Sequence, residues 1–342
     1  MMMNNSKKKR PKIVVIGGGT GLPVVLKSLK EKNADVTAIV TVADDGGSSG
    51  SLREYFNAVP PGDIRNVLTA LSDMPNAQKE VFQYRFDKKD KNFAGHPLGN
   101  IIISAMAEMR GNIYEAIQIL SRMMMIKGQV YPAAEEPLNL HAVYEDGSIV
   151  SGESQIPKAG KQIERVYVTS STDKKEVKAG RKVVSSILNA DMVVLGPGSL
   201  YTSILPNLMI PEIGKAVCET SATVVYISNI MTQLGETENF TDANHVQVLH
   251  KHLGKKFIDV TLANIGMVPV EYTNQSHLTD YLVQVEHDFK ALTEETAQII
   301  SDDFLEFRSN GVYHNGEKVA EELYQQAFHI QRNPKNKQEK LP

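Results

Sequence analysis

Two clusters of residues in this sequence have the types and spacing to handle a phosphorylated ligand. In "KIVVIGGGTG", residues 12–21, an apolar run ends in Gly17, Gly18, Gly19, Thr20 and Gly21. Where no Cβ intervenes, a backbone can approach a phosphate closely; its N–H groups and the helix N-terminus that follows attract the anion, and Thr20 adds a hydroxyl. The competing reading is a tight turn that lets helix and strand pack closely. In "ADDGGSSGSLR", Asp44 and Asp45 close a second apolar run, with Gly46, Gly47, Ser48 and Ser49 forming a hydroxyl-rich loop behind them. Carboxylates beside phosphates serve a Mg²⁺ bridge or bind ribose and sugar hydroxyls. Alternatively, one aspartate caps the turn.

Four further stretches carry candidates. "PPGDIRNVL" offers Asp63, which reads alone as a helix N-cap, followed by Arg65 and Asn66 in the first turn. A cation there runs against the usual preference for acids and points to an anionic partner. "AGHPLGN" places His96 and Asn100 at the opening of another helix, and "GPGSLYTS" supplies Gly196, Gly198, Ser199 and Thr202. Asn229 sits in "SNIMTQLGET". Several chemistries are disfavoured: Leu22 occupies the last position of a dinucleotide fingerprint counted from Gly17, no Walker lysine follows, and neither a zinc-protease pair nor a nucleophile elbow is present. NAD is therefore the weaker ligand. His250 and His252 fall on different faces of one helix.

The elements that must position these loops are legible as periodicities. Lys12–Ile16 and "VTAIVTV" (36–42) read as strands buried on both faces, with a helix between them, which is the opening of a parallel βαβ unit. "ADMVVL", "ATVVYIS" and "FIDVTLAN" repeat the theme, and "NVLTALSDM", "LGNIIISAMAEM", "IYEAIQILSRMMMI" and "NHVQVLHKHLG" are helical in period. The methionines at 123–125 are expected in a core. "HAVYEDGSIVSGESQI" alternates around Asp146-Gly147, a hairpin signal, so a small antiparallel insertion is placed at about 138–170 with "RVYVTS" beside it. A strand ("YLVQVE") and a terminal helix close the chain. In an open parallel sheet, ligands bind outside the carboxyl ends of the strands, so the four polar loops at those ends converge on one face. The fold class is α/β: a mostly parallel sheet flanked by helices, one domain over 12–330, with a basic tail at 1–11 and a charged tail at 331–342.

Composition limits the partners. The 342 residues with 42% hydrophobic content support a sizeable core, and a net charge of −3 argues against binding nucleic acid. Lys7 to Lys12 read as a solvated arm. Cys218, the single cysteine, is expected to be a small buried hydrophobe. No stretch reaches the roughly 20 apolar residues of a membrane span, and "MMMNNSKKKRPK" lacks the apolar segment of a secretory signal, so a cytoplasmic protein is expected. Homodimerisation is the default assembly.

In order, "GGGTGL", "TVADDGGSSG", "PPGDIRNVL", "GHPLGN", "GESQIPKAG" and "GPGSLYTSILPNL" resemble the YvcK family of bacterial gluconeogenesis factors, related to the CofD-like phospholactate transferases. The likeness covers roughly residues 12 to 240. It implies a CofD-like fold with a Rossmann-like core. It also implies a cytoplasmic protein needed for cell shape and growth on gluconeogenic carbon, which binds UDP-sugars, notably UDP-N-acetylglucosamine, and connects them to amino-sugar and peptidoglycan precursor supply, with an enzyme of that pathway as partner. In the transferase relatives, an aspartate-bearing loop at the place of Asp44 and Asp45 helps hold a divalent metal and the acceptor. The "GGSSG" that follows here belongs with the regulators. A ligand-sensing regulator that requires no cofactor is thus set against a Mg²⁺-dependent transferase of phosphorus-containing groups.

Overall fold

The computed structural model describes residues 10–56, 58–90, 93–172, 176–269, 272, 281–308 and 311–332. Residues 1–9 and 333–342 of the two expected tails lie outside them. In chain order the elements are β1 (Lys12–Gly17), α1 (Gly21–Leu29), β2 (Asp35–Val40), α2 (Gly47–Phe56), α3 (Gly62–Leu71), α4 (Asn76–Gln83), α5 (Leu98–Arg110), α6 (Ile113–Met123), β3 (Gln129–Pro132), β4 (Leu138–Tyr144), β5 (Ile149–Ser151) and β6 (Ile163–Ser170). They continue with α7 (Arg181–Leu188), β7 (Met192–Leu195), a π-helical turn (Leu200–Ile204) leading into α8 (Leu205–Leu208), α9 (Pro211–Glu219), β8 (Thr223–Ile227), β9 (Met231–Gln233), α10 (Asp242–Leu253) and β10 (Val260–Asn264). The last are β11 (Tyr281–Gln284), α12 (Phe289–Glu295), β12 (Gln298–Asp302), β13 (Leu305–Arg308), β14 (Gly311–His314) and α13 (Gly316–Arg332).

Seven strands form one parallel sheet in the order β12-β10-β8-β7-β1-β2-β3. Its middle is built from residues that suit burial on both faces: Ile13, Val15 and Ile16 of β1 and every residue of β7 are buried. Helices cover the sheet, with α1 packed against α3 and α13, and α7 against α9. The chain winds outward from β1 in both directions, through β2 and β3 one way and through β7, β8 and β10 the other. The winding direction therefore reverses between β1 and β7, and the crevice outside their carboxyl ends is where open α/β sheets place their ligands.

The expected insertion is a three-stranded antiparallel sheet, β5-β4-β6. Its turn is the one anticipated: Gly147 takes φ +79°, and the Ser148 N–H donates to Asp146 Oδ1 at 2.9 Å. Tyr144 braces the insertion internally, donating its buried hydroxyl to the Ile156 carbonyl at 2.8 Å.

Three expectations need correction. "GGSSG" is not a loop: α2 begins at Gly47, so Ser48 and Ser49 lie in its first turn. Met124 is buried, but Met123 and Met125 are 62% and 52% exposed, because α6 ends at Met123 and Met125 turns left-handed at φ +52°. The C-terminal segment holds more than one strand and one helix, since β12 adds an edge to the main sheet and β13 pairs with β14. Cys218 is half-buried on α9.

The crevice depends on close loop contact. A Cβ at Gly21 would lie 2.8 Å from the Pro197 carbonyl oxygen. Gly21→Ala is expected to lower unfolding stability by about 1–3 kcal/mol through overpacking, read from the urea midpoint; an unchanged midpoint would mean the two loops separate freely.

Candidate functional site

The loop after β1 and the loop after β7 meet backbone to backbone. A Cβ at Gly198 would sit 3.2 Å from Ser203 Cβ and 3.4 Å from the Gly18 carbonyl oxygen, and a Cβ at Gly17 would lie 3.8 Å from Gly196 Cα. A Cβ at Gly18 would strike the Thr41 side chain and lie 2.7 Å from Asp63 Oδ2. The absence of a side chain at Gly21 thus serves loop-to-loop packing, with Gly198 in support, while the absence at Gly18 makes room for Thr41 and Asp63. Gly196 demands glycine by conformation, at φ +88°, and so does Gly19, at φ +67°. In that geometry its N–H donates to Asp63 Oδ2 at 2.8 Å. The Gly196–Pro197 peptide is cis.

Above the contact lies a cavity of about 270 Å³. Gly19, Thr20 and Gly21 form one wall; Gly198, Ser199 and Ser203 form the facing one. Asn229 and Gln233 enter from the segment after β8, Glu153 from the insertion, and Tyr313 and His314 from β14. The first turn of α1 points here with Thr20 as N-cap, no side-chain cap and no acidic residue. Uncapped first-turn N–H groups and the positive end of the helix dipole give this wall a chemistry that suits an anion. Gln233 Nε2 donates to Ser199 Oγ at 2.9 Å, tying the β9 segment to the second loop.

Behind the β1 loop lies a group of carboxylates. Asp44 Oδ1 accepts the Gly46 N–H at 2.9 Å, which is the local capping role considered above. Asp45 Oδ1 accepts the Ser154 N–H at 2.8 Å and so fastens the insertion to the sheet. Asp63 is not an N-cap: Pro61 holds that place, and Asp63 lies in the first turn of α3, turned to Gly19. Desolvation, opposed by the Gly19 hydrogen bond, pushes the Asp63 carboxyl up to about 6. Burial raises Glu236 to about 7 although Thr202 Oγ1 donates to its Oε1 at 3.3 Å. Burial likewise lowers His314 to about 4, leaving a neutral ring 3.1 Å from the Ser228 carbonyl oxygen.

A third group is linked in a chain of hydrogen bonds. Arg65, 6% exposed, donates from Nη1 to Asn100 Oδ1 at 3.0 Å and from Nη2 to Asn66 Oδ1 at 2.7 Å. Asn100 Nδ2 donates to Ser48 Oγ at 3.0 Å, and Ser48 Oγ lies 2.7 Å from His96 Nδ1. Burial and the neighbouring Arg85 bring the Arg65 guanidinium down to about 10. Its fork is turned to amides here, and its buried Nε has no partner among the described residues.

Of the residues singled out in the sequence, Gly19, Thr20, Gly21, Gly198, Ser199 and Asn229 line the cavity. Gly17, Gly18 and Gly196 lie in the loop contact below it. Asp44, Asp45, Gly46 and Asp63 form the carboxylate layer; Ser48, Arg65, Asn66, His96 and Asn100 form the chain of hydrogen bonds. Gly47 and Ser49 sit in the first turn of α2, where a Cβ on Gly62 would strike Ser49 Oγ. Thr202 is buried against Glu236. The sequence reading missed Glu153, Ser203, Gln233, Glu236 and His314. The first four belong to stretches already marked, "GESQ", "GPGSLYTS" and "SNIMTQLGET", and only His314 carried no local signal.

The sequence profile of the family described as 2-phospho-L-lactate transferase CofD matches residues 13–305. A relative from Lactococcus lactis subsp. lactis is 56% identical over 311 residues, covering 91% of this chain and 95% of its own. A protein of Listeria monocytogenes named "Gluconeogenesis factor" is 48% identical over 311 residues, covering 91% and 94%. The crystal structure of protein BH3568 from Bacillus halodurans superposes with a TM-score of 0.87 at 40% identity, covering 92% of this chain and 99% of that one. A second crystal structure of that protein, described as a member of the UPF0052 family, also gives 0.87.

Burial, joined by repulsion from Asp44, Asp45, Glu236 and Asp63, pushes the Glu153 carboxyl up to about 8. With the folded value above the ordinary 4.5, the proton-linked stability is fully present below about pH 4.5 and is lost as pH rises through about 8. Glu153→Gln stays neutral, so at high pH it is expected to be more stable than the parent by roughly 1–3 kcal/mol, less than the full shift because the side chain is partly solvated. Below about pH 4 the two should match. Urea unfolding across that range checks this, and a pH-independent difference would contradict it.

Proposed function

The chain belongs to the YvcK-type gluconeogenesis factors with a CofD-like fold, and from that premise we propose that it binds a UDP-sugar, UDP-N-acetylglucosamine or a close relative, and reports its level without consuming it. The observation that carries this reading is the uncapped first turn of α1, opening with Gly19–Gly21 onto a cavity at the crevice between β1 and β7. A diphosphate fits that wall because backbone N–H groups and the helix dipole are its natural partners. Asn229, Gln233, Ser199 and Glu153 supply the mixed donors and acceptors that sugar and ribose hydroxyls need. Glu153, the carboxyl that lines the cavity, does not forbid an anion there, since it holds its proton at neutral pH. In this reading the protein works in the cytoplasm, coupling growth on gluconeogenic carbon to cell-wall precursor supply and cell shape through an enzyme of amino-sugar metabolism. Among the described residues no helix is long and apolar enough to cross a membrane.

The carboxylate layer favours the second reading, a Mg²⁺-dependent transferase of phosphorus-containing groups in the manner of the CofD profile's name. The residues present fit a resident metal poorly. Asp44 and Asp45 are turned to different backbone N–H groups, and among the described residues no three His, Cys, Asp or Glu side chains gather into a metal-holding group. The sensor reading therefore routes nothing through magnesium.

UDP-N-acetylglucosamine at about 100 times its dissociation constant should stabilise the fold by roughly 2.7 kcal/mol, with a smaller rise in melting temperature from UMP, which lacks the second phosphate and the sugar. The nucleotide sugar should then be recovered intact by chromatography after long incubation with Mg²⁺. Turnover beyond one equivalent with a phosphorylated acceptor would replace the sensor with the transferase.

A further inference from the structure

Thr20 and Val24, which border the cavity, also begin a second depression. From them a groove of about 870 Å³ follows α1 past Lys27 and Lys30, bounded by α3, α4, β13 and the start of α13. Four cations reach it. Two are already engaged: Lys30 Nζ donates to the Ser72 carbonyl at 2.7 Å and lies 3.4 Å from Asp73, and Arg308 Nε pairs with Glu306 at 2.9 Å. Lys27 and Lys79 make no ion pair or side-chain hydrogen bond with another described residue. Burial, then the Lys30 charge, and after it Lys27, hold the Lys79 ammonium below the ordinary lysine range despite Asp73 and Glu31. Such a cluster gains from an anion laid between its members.

The surrounding donors agree. Asn76 and Lys79 line the groove from the first turn of α4, which has no side-chain cap and no acidic residue. Asn66 has its oxygen taken by Arg65 and is left with N–H donors. Across from these, Glu317 lines the groove from the first turn of α13. A uniformly polyanionic partner would be repelled by that carboxylate, whereas a small molecule with an anionic end and a hydroxylated end satisfies both sides. We infer that this groove is a second ligand site, taking a small phosphorylated polyol or sugar whose phosphate lies between Lys27, Lys79 and the first turn of α4 and whose hydroxyls face Glu317. Occupancy bears on the first cavity because the hairpin that contributes Glu306 and Arg308 to the groove contributes Gly311, Tyr313 and His314 to the cavity. The coupling, unlike the site, rests on the UDP-sugar reading.

Calorimetry on the full chain tests it, with glucose 6-phosphate, glucose and inorganic phosphate as separate probes and the cavity first saturated with UDP-N-acetylglucosamine. Glucose 6-phosphate should bind the parent, and Lys27→Gln with Lys79→Gln should weaken it about tenfold or more by removing charge-assisted contacts. Melting of the ligand-free double variant checks that it is folded. Glu317→Gln should weaken glucose 6-phosphate and leave phosphate unchanged. Equal affinity in parent and double variant, or no binding to the parent at millimolar concentration, would overturn the site. Phosphate binding as tightly as glucose 6-phosphate would overturn its sugar specificity. Repeating the titration without nucleotide separates the two readings: lysine-dependent binding survives there even if the UDP-sugar never binds.

Discussion

The contact between two glycine-bearing loops at the ends of adjacent strands governs the rest of this structure. β1 and β7 are hydrogen-bonded neighbours from which the chain leaves in opposite directions. Side chains on Gly18, Gly21 or Gly198 would force the loops apart or displace Asp63. With the loops in contact, Gly19 can take its left-handed conformation, direct its N–H to Asp63 and leave the first turn of α1 facing the crevice. The same glycines that a motif search reads as phosphate contacts are here first a packing requirement. The open end of the helix is what that packing makes accessible.

Electrostatics in this region is a balance between a helix end that attracts anions and carboxylates that would repel them. The balance is struck by proton retention and by local hydrogen bonds. Asp44 and Asp45 each accept a backbone N–H, while desolvation pushes Glu153 and Glu236 toward neutrality, the latter in spite of its bond from Thr202. Carboxyls of this kind can donate as well as accept, which widens what the cavity can recognise. Arg65, the one cation in the vicinity that a sequence reader would assign to a phosphate, is instead buried among amides and holds α2, α3 and α5 in register.

How much of this was legible follows from how local each signal is. β1, β2, β7 and β8 announce themselves because strands buried on both faces are runs of Val and Ile, and the insertion because Asp146-Gly147 fixes its turn within four residues. The convergence of the glycine loops followed from the parallel βαβ pattern. The start of α2 was hidden because Gly47, Ser48, Ser49 and Gly50 have the composition of a loop; Gly50 is there because a Cβ would strike the Asp45 carbonyl. β12, β13 and β14 are half-exposed edges without strong alternation. The raised carboxyl of Glu153 depends on burial and on residues more than eighty positions away, and no local pattern encodes that. His314 reaches the cavity only through the C-terminal hairpin.

The strand order has a consequence for how the chain is made. β1 is made well before β7, and β2, which follows it closely, can pair with one of its edges at once. Its other edge belongs to β7, and the hydrogen bond from the Lys12 N–H to Asp191 that helps align the pair spans 179 positions of sequence. Until β7 is made, this apolar strand therefore keeps one row of backbone donors and acceptors open to any passing strand. Late closure of that edge makes the central strand the point at which chaperone occupancy during translation matters most, and it means that chains interrupted before β7 carry an unpaired, aggregation-prone core rather than a functional fragment.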